Sequence, residues 1–163
     1  QGLQELIRAN SLEDAKITAY HIGFVLGPCI NASGRLDTAA RSLALLNAKT
    51  KEEAARLAGD LTALNQSRKA LTEKGKEEAI RIIETTELKN DRVLVVYLPD
   101  CHESLAGIIA GRIREKYHRP AFVLTGGETS AKGSGRSIES YSMYEELVKC
   151  ADLMIQFLSL IHI

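Results

Sequence analysis

Val93-Leu94-Val95-Val96-Tyr97-Leu98-Pro99, then a helix-spaced segment from Ser104 to Tyr117, then Pro120-Ala121-Phe122-Val123-Leu124, is the stretch on which the fold turns. The first apolar run, closed by a proline, predicts a strand buried on both faces. In the segment that follows, Leu105, Ile108, Ile109 and Ile113 share one helical stripe, and Gly107 and Gly111 lie where a helix backbone can approach a sheet closely. The second apolar run predicts another strand. A strand-helix-strand unit of this length implies a parallel pair with a right-handed crossover, and so an α/β class.

Downstream, Gly126-Gly127 turns the chain into Ala131-Lys132-Gly133-Ser134-Gly135-Arg136-Ser137. These residue types suit a phosphate-gripping loop. Glycine admits φ > 0 and lets a ligand reach backbone N–H groups, lysine and arginine supply charge, and serine supplies a neutral donor. A glycine-rich hairpin with a solvated arginine fits the same residues. Ser142 with Glu145 forms a capping box for a helix containing Leu147, Val148, Ala151, Met154 and Phe157.

Upstream, Thr50 to about Glu87 is rich in Ala, Glu, Lys and Leu and contains no proline, which predicts one long helix. Thr50 with Glu53 caps it. Leu57, Leu61, Leu64, Leu71, Ile80 and Ile83 line an apolar edge, Gly75 is a weak point, and the charged remainder suits a strut between two bodies. Residues 1–47 read as short helices. Leu3, Leu6 and Ile7 form one face, Ser11 with Asp14 resembles a cap, and Ile17, Tyr20, Phe24 and Val25 continue the pattern. Gly27-Pro28 predicts a break, with Gly27-Pro28-Cys29-Ile30-Asn31-Ala32-Ser33-Gly34-Arg35-Leu36 as a polar loop before a helix from about Asp37 to Leu46. Arg35 can reach a ligand from that loop or pair with Asp37.

The 163 residues carry 21 Lys and Arg against 21 Asp and Glu, so binding of nucleic acid by bulk charge is excluded and any such site must be local. Between Arg112 and Arg136 six basic residues face two acids, Glu115 and Glu128. Arg112, Arg114 and Lys116 also read as a solvated helix face. His102 and Glu103 follow the first strand, where open α/β sheets bind ligands and a helix N-terminus favours an anion; His102 reads equally as a hydrogen-bonded turn residue. The three cysteines form no CxxC pair, which argues against a zinc site or disulfide framework and for a reducing cytoplasm. No run is long enough to span a membrane. The first residue is Gln1 rather than Met, which points to a piece of a longer protein.

GPCINASGRL, the long helix with LNQSRK, CHESLAGIIAGRIREKYHRPAFVL, AKGSGRS and ADLMIQF, in that order, resemble the single-stranded-DNA-specific exonucleases of the DHH phosphoesterase family from about Gly2 to Phe157. The resemblance implies metal-dependent 5′-to-3′ hydrolysis of single-stranded DNA in repair and recombination. It implies that residues 1–47 end the catalytic domain, 48–88 form a connecting helix and 89–157 most of the DHH-associated domain, truncated, with 158–163 a tail foreign to the family. The Mn²⁺ or Mg²⁺ would be bound by residues outside this stretch, no catalytic or metal residue lies within it, and protein partners are not indicated. Carried over by position, Arg35, His102, Glu103, Ser134, Gly135, Arg136 and Ser137 become strand-contacting candidates, with Arg112 and Lys132 from the basic surface. Two alternatives stay open: a related phosphodiesterase of short oligonucleotides or cyclic dinucleotides, and a nucleic-acid-binding module without activity. A chain ending at 163 would also leave a sheet edge and apolar surface uncovered.

Overall fold

Helix α1, Gly2–Ala9, buries Leu6 and leaves Leu3 half exposed. Ser11 does not cap a helix as expected; it takes a left-handed conformation, φ 55°, in the turn that ends α1. The computed structural model describes residues 1–127 and 129–157, so the expectation for the tail at 158–163, and Glu128 of the basic stretch, lie outside the described residues.

The Gly27-Pro28 break does not occur. Helix α2, Ala19–His21, passes into a π-helical turn at Ile22–Leu26 and then directly into α3, Gly27–Leu36, so the expected polar loop is helix. The wider turn lets the Gly27 N–H reach back to the Ile22 carbonyl. Pro28 then falls in the first turn of α3, where its missing N–H costs little. Tertiary contacts hold the remaining weak helix formers in place. Cys29 and Ala32 are fully buried, and the Ser33 hydroxyl lies 2.7 Å from that of Ser42, with both within 3.0 Å of the Ile30 carbonyl oxygen. Helix α4, Ala40–Asn47, starts later than expected. Asp37 pairs with Arg41 at 2.6 Å.

Helix α5, Lys51–Thr85, is a single 35-residue element, unbroken at Gly75. The Thr50 hydroxyl accepts the Glu53 N–H at 3.2 Å and the Glu53 carboxylate accepts the Lys49 N–H at 3.2 Å, so the predicted cap forms. The chain divides into two compact units, Gln1–Leu71 and a second beginning at Thr72. Ala58 and Leu61 of α5 pack with Leu6, Leu26, Cys29 and Leu45 in the first core; Ala79 and Ile83 pack into the second. No residue from 66 to 78 is buried.

In the second unit, strand β1 is Leu94–Leu98, helix α6 is Glu103–Tyr117, β2 is Ala121–Thr125, β3 is Lys132–Arg136 and helix α7 is Met143–Val148. The sheet order is β1-β2-β3, with β1 parallel and β3 antiparallel to β2, which is the partly parallel α/β unit the sequence predicts. Leu94, Val96, Leu98, Ala121 and Val123 meet Leu105, Ile109 and Ile113 of α6 in a core where each fully buried Leu or Ile contributes about 1.5–3 kcal/mol. β1 is not buried on both faces. Val95 and Tyr97 are about half exposed, because only the α6 side of this edge strand is covered. His118, left-handed with φ 53°, closes α6, and Pro120 prevents its continuation. α7 is shorter than expected. It ends at Val148, followed by a separate 3₁₀ turn at Ala151–Leu153.

Candidate nucleic-acid interface

The glycine-rich stretch is a strand rather than a backbone nest. No described glycine has positive φ, so the expected fan of converging N–H groups does not form at Gly133 or Gly135. Those glycines make room on the sheet face away from α6. A Cβ at Gly133 would lie 2.4 Å from Phe122 Cε1, and one at Gly135 would lie 2.1 Å from Met143 Sδ and 2.7 Å from Phe122 Cδ2. Strand alternation puts Lys132, Ser134 and Arg136 on the other face, in register with Thr125, Val123 and Ala121.

That face meets the first turns of α6. Gly107 is the point of closest approach, since a Cβ there would lie 2.5 Å from Arg136 Nη2 and 2.8 Å from Ser134 Oγ. What it admits is a guanidinium and a hydroxyl, whereas Gly111 has no neighbour that requires a glycine. Arg136 donates from Nη1 to Ser134 Oγ at 3.1 Å and to the Gly135 carbonyl at 2.7 Å. Beside it an open groove is lined by Glu103, Ser104, Thr125, Lys132, Gly133 and Ser134.

His102 is the N-cap of α6. Its Nδ1 accepts the Ser104 N–H at 3.3 Å and lies 2.8 Å from Ser104 Oγ. With Nδ1 engaged by Ser104, Nε2 is the ring nitrogen left to donate to an oxyanion. Glu103 pairs with Lys132 at 2.6 Å across the groove. The hydrogen bond and charge of Lys132, aided by His102, hold its carboxyl below the usual carboxylate range. Glu103 therefore remains an anion that fixes Lys132. Ser137 accepts the Met143 N–H at 3.0 Å and joins β3 to α7.

Arg112 is not in the groove. It pairs with Glu115 at 3.1 Å on an exposed face of α6, and Arg114 reaches the same carboxylate at 3.8 Å. Arg119 donates to the Lys89 and Asp91 carbonyls at 2.7 and 3.1 Å, a structural tie. Arg35 belongs to the first unit, in the last turn of α3 rather than in a loop. Ser104 and Thr125 also line the groove, although neither stands out in the sequence. Thr125 is fully buried and donates to the Lys132 carbonyl at 3.3 Å; its place at the carboxyl end of a parallel strand was the available signal. Among the described residues no three His, Cys, Asp or Glu side chains come together to hold a metal.

No family model matches the chain. It is 37% identical to the single-stranded-DNA-specific exonuclease RecJ of Salmonella typhimurium over 96% of its own length and 28% of the relative's, and 38% identical to that of Escherichia coli over 90% and 26%. It superposes on the crystal structure of RecJ from Thermus thermophilus in complex with Mg²⁺ with a TM-score of 0.79 and 31% identity, covering 95% of this chain and 23% of that one. A crystal structure of exonuclease RecJ bound to manganese gives a TM-score of 0.78 at 31% identity, covering 95% of this chain and 37% of that one. The chain is therefore related to the RecJ exonucleases along nearly all of its own length, and corresponds to a segment of about a quarter of the curated relatives it matches.

Proposed function

We propose that this chain is the strand-positioning part of a metal-dependent 5′-to-3′ single-stranded-DNA exonuclease acting in DNA repair and recombination. Residues 1–47 would end the catalytic domain, 48–88 connect, and 89–157 form the associated nucleic-acid-binding domain. The relatives' specificity for single-stranded DNA and the solved complexes with Mg²⁺ and Mn²⁺ support this reading. The metals would supply the hydrolytic chemistry from residues other than those described. A cytoplasmic setting is part of the proposal, in keeping with three free cysteines and with no described helix long and apolar enough to cross a membrane.

The observation that carries it is Arg136, a cation beside the groove whose hydrogen bonds go to neutral oxygens and whose planar fork lies next to the Ser134 hydroxyl. A phosphodiester entering there accepts from the guanidinium, from Ser134 and from His102 Nε2. All three contacts are to groups identical in every nucleotide, so they fix the strand without reading sequence. In fluorescence anisotropy, Arg136→Ala is expected to weaken binding of poly-dT and of mixed-sequence oligomers alike, and to reduce the slope of log K against log salt by about 0.7. Arg114→Ala is the control, since that side chain pairs with Glu115. Equal behaviour of the two variants would remove the groove from the strand's path.

A further inference from the structure

The seam between α6 and β3 continues past Arg136. Glu103 pairs with Lys132 at the start of α6, and Gly107 faces Ser134 and Arg136. Further along, Arg114, Glu115 and His118 meet Ile138, Glu139 and Ser140 around a second open cavity of about 580 Å³. That volume lies within the roughly 300–1,000 Å³ of small-molecule sites. From Gly107 to Arg114 and His118 is roughly 10–16 Å of helix at 1.5 Å of rise per residue, so one strand lying along α6 passes both openings.

The walls of this cavity are ordered. Strand alternation carried past Arg136 leaves Ile138 on the α6 side, where it lines the cavity. The Tyr141 N–H donates to the Ile138 carbonyl at 3.1 Å, closing a four-residue turn with Glu139 and Ser140 at its corners. Opposite, the His118 N–H donates to the Arg114 carbonyl at 2.8 Å and fixes the end of α6.

The chemistry here differs from that of the Arg136 groove. Arg114 reaches the Glu115 carboxylate at 3.8 Å, so the guanidinium on this wall faces an acid. Among the described residues the side chains of His118, Glu139 and Ser140 make no hydrogen bond or ion pair, and so they present a ring nitrogen, a carboxylate and a hydroxyl to a ligand. Two acids beside one guanidinium disfavour a phosphate. An apolar wall at Ile138, with donors and an acceptor around it, suits a flat heterocycle whose edge carries both kinds of group. Guanine presents N1–H and its exocyclic amine side by side, matching the two oxygens of one carboxylate, whereas thymine presents a single N–H between two carbonyls.

We propose that the cavity at the C-terminal end of α6 is a nucleobase subsite for the same single strand, with Ile138 as its apolar wall and Glu139 as the acceptor that favours guanine. The proposal deepens the strand-positioning reading and rests on it for the remainder of the strand. It adds a base preference to phosphate contacts that carry none.

The test is an anisotropy titration with dT oligomers carrying one dG at successive positions. One position is expected to bind about fivefold tighter than dT alone, the low end for a bidentate base contact because the cavity is open. Inosine at that position, which lacks the amine, should lose most of the gain, and this arm needs no protein variant. Glu139→Ala is expected to bring the dG oligomer down to dT. A gain that survives inosine, or survives Glu139→Ala in a folded variant, overturns the proposal. Oligomers that bind through Arg136 with no preferred dG position overturn it too, and leave the strand reading standing. If no oligomer binds, amide shifts of the ¹⁵N-labelled chain with dGMP and TMP decide. Saturation by dGMP at Ile138, Glu139 and Ser140 with TMP inert keeps the nucleobase site and refutes the strand reading, and no difference between the two nucleotides overturns the site.

Discussion

Replacing Gly135 with alanine separates two explanations of the glycine-rich strand. The backbone φ there is not positive, so alanine adopts the conformation without strain and reduces the freedom of the unfolded chain, a gain of about 0.4–1 kcal/mol. Against this, the new methyl would lie 2.1 Å from Met143 Sδ and 2.7 and 2.9 Å from two atoms of the Phe122 ring. Met143 is 6% exposed and cannot swing into water without uncovering apolar surface, so an overpacking cost of about 1–3 kcal/mol applies. The net expectation is a loss of about 1–2 kcal/mol. Thermal unfolding by circular dichroism would read this as roughly 2–4 °C for each kcal/mol in a chain of this length. Phe122→Leu removes the ring and should recover part of the loss in the double variant, because the two substitutions share one space. Strand binding should survive at temperatures where the variant is folded, since Ser134 and Arg136 lie on the opposite face. A stable Gly135→Ala variant that has lost phosphate binding would refute this reasoning and restore the backbone nest.

Tyr117 donates to the Glu84 carboxylate at 2.6 Å, and desolvation with that bond and charge pushes its phenol from an ordinary value near 10 up to about 12. A folded-state pKa above the unfolded one stabilises below the unfolded value, and the contribution fades as pH rises from about 10 to about 12. Tyr117 should thus be among the last of the five tyrosines to ionise in an ultraviolet titration, and Tyr117→Phe should lose that step; an unchanged titration curve contradicts the bond. Supplied with Mn²⁺ or Mg²⁺ and a 5′-labelled single strand, this chain should release no nucleotides, because the described residues form no metal donor set. Metal-dependent digestion by a nuclease-free preparation would place an active site among them after all.

Much of the second unit was legible because its signals are local. A proline-terminated apolar run, a helix with an apolar stripe and a second run define a β-α-β unit whatever surrounds them, and Thr50 and Ser142 cap the helices they precede. What escaped depends on partners distant in sequence. Gly27-Pro28 reads as a break until the π-helical turn at Ile22–Leu26 moves the hydrogen-bond register past the proline. Val95 and Tyr97 look like core residues because nothing in a hydrophobic run says which sheet face is covered. Gly133 and Gly135 suggest a nest when read alone, and their reason becomes visible only opposite Phe122 and Met143. The candidate site was named in part by residue type, but its assembly depends on strand alternation combined with the approach of α6 at Gly107. That is also why Arg112, equally basic, lies outside it and Thr125, unremarked in the sequence, lies inside.

In the proposed function, the α6–β3 groove holds the phosphate backbone of a single strand. The most direct test of this is backbone amide mapping of the ¹⁵N-labelled chain during titration with a dT oligomer at low salt. The expected result is shifts that saturate together at Ser104, Gly107, Ser134 and Arg136 and that fade as salt is raised. Shifts confined to the far sheet face, at Val95, Tyr97 and Phe122, with Ser134 and Arg136 unmoved, would contradict it.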